Sequence, residues 1–150
     1  MMYGRRYSPD LDRLMAQCER NYLRLLQLVP HLRRLGDAAY SYPDGGTGLA
    51  LQVLERAPYT TVLLLSQVLM HGPAPIGGPR MQIRVYHDAK LAEVLSYQGR
   101  ARFHPRYPYP NPEMMHPDEK QQLNEFLGEW LEHCLSRGHR FQPQEAVTDL

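Results

Sequence analysis

The stretch M-Q-I-R-V-Y-H-D-A-K-L-A-E-V-L-S-Y, Met81 to Tyr97, decides the fold. Its first part alternates between apolar and polar residues, which is typical of a strand with one buried and one exposed face. The tetrapeptide H-D-A-K at 87–90 indicates a tight turn, and residues 91–97 return as a second strand. Two strands joined by so short a link favour antiparallel pairing. The apolar positions are Met81, Ile83 and Val85, and the polar ones are Gln82, Arg84 and Tyr86.

Two further strands precede this hairpin. From Leu49 apolar residues again alternate with others, until Ala57-Pro58 interrupts the pattern. Residues 59–69 are rich in β-branched and aliphatic side chains, which indicates a more deeply buried strand. Residues 36–48 and 71–79 have the glycine and proline content of loops. The sequence therefore predicts four strands.

A helix is predicted on either side of these strands. S-P-D at 8–10 is typical of a helix start with Ser8 as the N-cap, and apolar residues follow at helical spacing until Pro30. Pro117 opens the second helix, which Gly138 ends. The predicted fold class is α+β: a four-stranded antiparallel meander sheet flanked by N-terminal and C-terminal helices (α-β4-α), both on one face. Residues 1–140 form a single domain and 141–150 a polar C-terminal tail.

Composition places the chain among soluble globular proteins, because 43% of its 150 residues are hydrophobic and 22% are charged. Cys18 and Cys134 lie in apolar helical stripes, the latter beside Trp130. This predicts buried free thiols in a reducing compartment and a tryptophan in the core. The N-terminus has no apolar signal region, and the longest apolar run is too short to cross a bilayer. A cytoplasmic location without a membrane partner is expected.

Motifs that would fix a reaction are absent from the sequence. There is no Walker loop, dinucleotide-binding glycine fingerprint or serine hydrolase motif, and the seven histidines show no zinc-site spacing. We therefore expect no metal and no cofactor, and whether the chain is an enzyme stays open. His87-Asp88 suggests an oriented imidazole, but adjacent strand residues point to opposite faces. A turn formed by the Asp88 side chain is the favoured alternative.

The stretch R-F-H-P-R-Y-P-Y-P-N at 102–111 is the strongest candidate for a binding loop. Its prolines favour stiff, extended backbone, arginine offers a planar fork for phosphate or carboxylate, and tyrosine offers a stacking face. The polar face of the third strand would extend this surface. Packing of the loop on the sheet is the alternative, and Arg102 is assigned to that scaffold role. The predicted ligand-binding residues are Arg84, Tyr86, His87, Arg106, Tyr107, Tyr109 and Asn111.

The leading functional interpretation is a non-enzymatic binding module. Its partner would be an anionic, phosphate-bearing small molecule or an acidic protein surface. One alternative is a hydrolase of a small phosphorylated compound, with His87 or His104 as the base and Asp88 or Glu119 as its partner. Another is the binding of single-stranded RNA through the same arginine and tyrosine residues, which the balanced net charge of +1 does not favour.

Six sequence blocks also match a known family in the same order along the chain. They are Y-S-P-D (7–10), C-E-R-N-Y (18–22), Y-T-T (59–61), V-Y-H-D-A-K-L-A-E-V (85–94), R-Y-P-Y-P-N (106–111) and D-E-K-Q-Q-L-N-E-F-L-G-E-W-L (118–131). With these blocks the chain resembles the YqiB-like family of proteobacterial proteins, a domain of unknown function. The resemblance implies a bacterial cytoplasmic protein, and it supplies no activity and no catalytic residues.

Overall fold

A computed structural model describes residues 10–43, 47–69, 79–98 and 117–142. Within these ranges two long helices enclose five strands in chain order, and a short 3-10 helix (Leu32–Arg34) follows the first long helix. The elements are α1 (Leu11–Leu28), β1 (Ala38–Ser41), β2 (Thr47–Arg56), β3 (Thr60–Leu69), β4 (Arg80–Tyr86), β5 (Leu91–Gln98) and α2 (Pro117–Ser136).

The five strands form one antiparallel sheet in the order β1-β2-β3-β4-β5. The α+β class, the meander and the two flanking helices are therefore confirmed, but the prediction of four strands is wrong. The additional strand is β1, which lies inside the predicted loop at 36–48. Its four residues are too few to show a period, and pairing with β2 from Ala38↔Gln52 to Ser41↔Leu49 fixes it instead.

A glycine allows the close approach of β1 to β2. A Cβ placed on Gly48 would collide with the ring of Tyr42 and would lie 2.9 Å from the carbonyl oxygen of Ser41. The aromatic ring therefore covers the position where a side chain would stand. Tyr42 also stacks on Tyr40, with ring centroids 6.5 Å apart.

Helix α1 begins at Leu11 and is capped by Asp10, whereas Ser8, the predicted N-cap, lies outside the described residues. The Asp10 carboxylate accepts a hydrogen bond from the backbone N–H of Arg13 at 3.0 Å, so Asp10 is the N-cap. At the other end, the backbone N–H of Phe141 donates to the carbonyl of Leu28 at 2.8 Å. Phe141 is only 1% exposed, so the first residue of the predicted polar tail is part of the core.

Both helices pack on one face of the sheet and on each other. The core lies between these two layers and includes Trp130 and Cys134, as the helical stripe predicts. Along each strand, the side chains that alternate with those of the core point away from α1 and α2. We call the surface that they form the outer face. The outer face carries Tyr40, Gln52, Gln82, Arg84 and Tyr86. Neither of the two long helices in the described ranges is apolar enough to span a membrane.

A buried polar network joins the two helices to the edge strand β5. The Asn124 side-chain oxygen accepts from the backbone N–H of Val94 at 3.0 Å, and its amide donates to the Lys120 carbonyl at 2.9 Å. Asn21 donates to the Asn124 carbonyl at 3.1 Å and accepts from Gln17 at 2.9 Å. Both asparagines are fully buried, so their hydrogen bonds offset the cost of removing the amides from water.

Candidate functional site

Two of the predicted ligand-binding residues meet on the outer face of the sheet. Arg84 and Tyr86 alternate along β4, and the Arg84 guanidinium interacts with the Tyr86 hydroxyl. The Tyr86 hydroxyl donates in turn to Glu93 Oε2 on β5 at 2.6 Å. Lys120 of α2 completes the series with an ion pair to Glu93 Oε1 at 3.0 Å. We call these four side chains the Arg84–Lys120 relay.

Two members of the relay, Tyr86 and Arg84, have pKa values raised by their surroundings. Burial, and then the hydrogen bond to Glu93, raise the pKa of Tyr86, so this phenol remains a donor at neutral pH. The hydrogen bond with Tyr86 raises the pKa of Arg84, and the guanidinium remains charged. Because Lys120 neutralises Glu93, the relay carries a net positive charge at the Arg84 end.

Within the described residues, the Arg84 guanidinium has few hydrogen-bond partners. A guanidinium has five N–H donors, and within the described ranges Arg84 has the Tyr86 hydroxyl as its side-chain partner. Arg80 is exposed on the same face of β4, four residues away. Four residues of strand span roughly 13 Å, so the two cations lie along one line with Gln82 between them.

His87 does not join this pair. His87 follows the buried Val85 by two residues and therefore faces the same side of the sheet, the side that carries the helices. Its Nε2 is 2.8 Å from the Thr61 hydroxyl, and burial, followed by the charge of Arg33, lowers the pKa of the imidazole. Asp88 is exposed in the turn, which the Lys90 N–H closes on the Tyr86 carbonyl at 2.8 Å. The structure thus places His87 across the sheet from Arg84 and Tyr86.

The other predicted binding residues, Arg106, Tyr107, Tyr109 and Asn111, lie outside the described residues, as do Arg102 and His104. Glu119, the acid proposed as a partner for the hydrolase base, lies in the first turn of α2 and is buried. The outer-face part of the predicted site is therefore the part that the structure describes.

A cleft that the sequence does not predict opens on the other side of the sheet. It has a volume of about 530 Å³ and lies between the C-terminal half of α2 and the adjoining ends of β2 and β3. We call it the helix–sheet cleft. The sequence contains one signal for this cleft. Four of the lining residues recur at helical spacing, namely Phe126, Trp130, His133 and Arg137. Its lining is Thr47, Gly48, Leu49, Gln67, Pro79, Phe126, Glu129, Trp130, His133, Cys134, Arg137 and His139.

The groups around this cleft suit binding better than covalent catalysis. Burial raises the pKa of the Cys134 thiol to about 12, so the thiolate that a nucleophile requires is scarce at neutral pH. His139 Nδ1 is 2.9 Å from the Ser41 hydroxyl, and both side chains are buried. Ser41 is absent from the cleft wall, so this pair braces β1 against the segment after α2. Within the described ranges no group of three His, Cys, Asp or Glu side chains could hold a metal ion.

Comparison with known proteins gives a family for the chain. Residues 24–140 match the family model described as "Protein of unknown function (DUF1249)". The chain belongs to this family. It is 38% identical over 138 residues to the uncharacterised protein YqiB of Escherichia coli strain K12. The aligned region covers 89% of this chain and 94% of the relative. The YqiB protein of Escherichia coli O157:H7 matches equally well. No solved structure matches the chain.

Both candidate surfaces lie inside the part of the chain that matches the DUF1249 model. Arg84, Tyr86 and Glu93 fall within residues 24–140, and so does the whole lining of the helix–sheet cleft. The family description names no ligand and no reaction. A function for this DUF1249 protein therefore has to be inferred from its own side chains.

Proposed function

We propose that this DUF1249 protein is a non-enzymatic binding module for an anionic, phosphate-bearing small molecule, which it holds on the outer face of its sheet. The observation that carries the proposal is the set of groups around Arg84. Its guanidinium interacts with the Tyr86 hydroxyl, and within the described residues no further side chain accepts a hydrogen bond from it. An oriented arginine is suited to phosphate because its planar fork donates two parallel hydrogen bonds to two oxygens.

The surroundings of Arg84 support an anion rather than a cation. Arg80 adds a second exposed positive charge on the same strand face. Glu93, which pairs with Arg84 across β4 and β5, is occupied by Tyr86 and Lys120. Glu55 of β2 is a second carboxylate that interacts with Arg84, from two strands away. Along β4 itself, an approaching phosphate meets Arg84 and Arg80 with no acid between them in the strand.

The same proposal includes the predicted loop residues Arg106, Tyr107, Tyr109 and Asn111. They precede α2 in the sequence and follow β5, the strand that pairs with β4. The arginine would supply a further charge-assisted bond, the tyrosines would supply stacking, and Asn111 a directional hydrogen bond. His87 lies on the opposite face and has no part in this proposal. An acidic protein surface is the second partner that the two arginines would suit.

The test is a titration with inorganic tripolyphosphate, followed by thermal unfolding and calorimetry. A ligand present at 100 times its Kd adds about 2.7 kcal/mol to the free energy of unfolding, which is a measurable rise in Tm. Arg84→Gln should weaken binding about tenfold or more, since a hydrogen bond to a charged group contributes about 1.5–3 kcal/mol.

Arg34→Gln is the matched control, because Arg34 is exposed on the short 3-10 helix and its loss changes the net charge equally. Equal weakening by both variants would mean that tripolyphosphate responds only to net charge, which would refute a site at Arg84. If single-stranded RNA were the partner, an oligonucleotide would bind more tightly than tripolyphosphate, with an affinity that falls steeply with salt.

A further inference from the structure

We propose that the helix–sheet cleft is a separate binding site for an uncharged planar heterocycle of the nucleobase or nucleoside class. This inference does not rest on the proposed anion site. Gln67 and Arg84 belong to opposite faces of the sheet, because Gln67 pairs with core-facing Leu49 while Arg84 has outward parity.

The position of Gln67 is the first observation. Along β3, the odd-numbered residues from Thr61 to Leu65 point toward the helices and are buried. Gln67 continues this row, yet it is a half-buried amide that lines the cleft. Its backbone N–H donates to Pro79 at 3.0 Å, whereas its side chain makes no hydrogen bond in the described part of the chain. A donor and an acceptor side by side thus face a space large enough for a ligand.

The contrast with the other inward-facing amides strengthens this observation. Gln17, Asn21 and Asn124 are also buried, and each is satisfied by the interhelical network. These three amides all have hydrogen-bond partners, whereas the Gln67 side chain has none in the described residues. A primary amide matches the adjacent donor and acceptor atoms on the edge of a nucleobase, which is how Gln and Asn read adenine in nucleic acids.

The walls of the cleft are the second observation. Trp130 and Phe126 stack on each other with ring centroids 6.5 Å apart and an interplanar angle of 13°, and both line the cleft. Stacking of a base on an aromatic side chain contributes about 1–3 kcal/mol per base in single-stranded nucleic acid complexes. Leu49 and Pro79 add apolar surface on the sheet side.

Size and charge favour a neutral ligand of this class over a larger or strongly charged one. The volume of about 530 Å³ lies within the 300–1,000 Å³ that is typical of small-molecule sites. Arg137 and Glu129 bring opposite charges to the lining, and His133 and His139 add imidazole rings. The cleft is therefore close to neutral, unlike the surface around Arg84.

The chain contains one tryptophan, and it lines the cleft, so ligand binding can be read from Trp130 fluorescence. Adenosine, guanosine, cytidine and uridine are titrated one at a time into the full-length protein, with excitation at the red edge of tryptophan absorption. At least one should quench the emission saturably. Its Kd should change little with salt, because the ligand is uncharged.

Gln67→Leu tests the amide, and Gln82→Leu is its matched control. Both glutamines are half-buried on central strands, and neither side chain has a hydrogen-bond partner in the described ranges. Gln67→Leu should weaken nucleoside binding about tenfold without lowering Tm, since it removes an unpaired amide. Gln82→Leu, on the outer face, should bind like the wild type.

Three outcomes would overturn the inference. The first is the absence of saturable quenching by any of the four nucleosides at millimolar concentration. The second is equal weakening by Gln67→Leu and Gln82→Leu, and the third is undiminished binding by a folded Gln67→Leu protein. Failure of the anion site would appear separately, because tripolyphosphate has no base and its titration depends on Arg84 rather than on Gln67.

Discussion

Replacement of Asn124 by alanine should destabilise the protein, mainly because the backbone N–H of Val94 loses its hydrogen-bond acceptor. The Asn124 oxygen is the acceptor for the backbone N–H of Val94, a residue of the edge strand that is completely buried. A buried N–H that loses its acceptor costs about 1–3 kcal/mol. The lost amide donor to Lys120 adds about 1 kcal/mol, and the better helix propensity of alanine returns roughly 0.5 kcal/mol.

The expected net loss in the free energy of unfolding is thus about 1.5–3.5 kcal/mol. At about 2–4 °C per kcal/mol for a chain of this size, Tm should fall by roughly 3–14 °C. Gln121→Ala is the control, because this amide lies one turn earlier on α2 and its hydrogen bond in the described part of the chain goes to the partly exposed carboxylate of Glu125 at 2.8 Å. That variant should stay within about 0.5 kcal/mol of the wild type.

Hydrogen exchange measured by NMR localises the effect. In Asn124→Ala the amide of Val94 should exchange much faster than in the wild type, and faster than global unfolding alone requires, because local opening no longer breaks a hydrogen bond. Equal Tm values for the Asn124 and Gln121 variants, or an unchanged exchange rate at Val94, would refute the assignment of Asn124 as the acceptor that secures β5.

A pair of glycine substitutions and a pH titration of the two cysteines also test the packing. Gly48→Ala should lower stability by about 1–3 kcal/mol, because its methyl group has no room beside β1, whereas Gly36→Ala, with no atom within 4 Å of the added Cβ, should be neutral or slightly stabilising in the same denaturant titration. Burial raises the pKa of Cys18 to about 11 and that of Cys134 to about 12, so the unfolded chain loses these protons first, and stability should fall as pH rises above about 9. Both thiols should therefore resist alkylation in the native protein at pH 8 and react fully in denaturant; rapid native labelling would contradict their burial.

The parts of the fold that the sequence predicts correctly are those with many repeats of one period. The hairpin β4–β5 repeats its alternation over two strands around a turn, and α2 repeats its apolar spacing over five turns. Strand β1 has four residues, A-A-Y-S, and only one of them is buried. Its existence depends on the partner strand and on Gly48, which alternation within β1 cannot express.

The candidate sites follow the same logic. Alternation on β4 predicts that Arg84 and Tyr86 share a face, and by that rule His87 belongs to the other face, where it contacts Thr61. The relay partners Glu93 and Lys120 come from a second strand and a helix, so no local pattern connects them with Arg84 before the chain folds.

Gln67 is a sequence signal for the helix–sheet cleft, but it does not suffice to predict the cleft. Gln67 is a polar residue in an apolar row of β3, just as Asn21 and Asn124 are polar residues in the apolar stripes of their helices. All three violate the binary pattern equally, so the pattern alone cannot distinguish them. The structure does, because it surrounds both asparagines with hydrogen-bond partners and leaves the Gln67 amide facing an open cleft. A polar residue in an apolar row is thus structural when the fold satisfies it and a candidate binding group when the fold leaves it open.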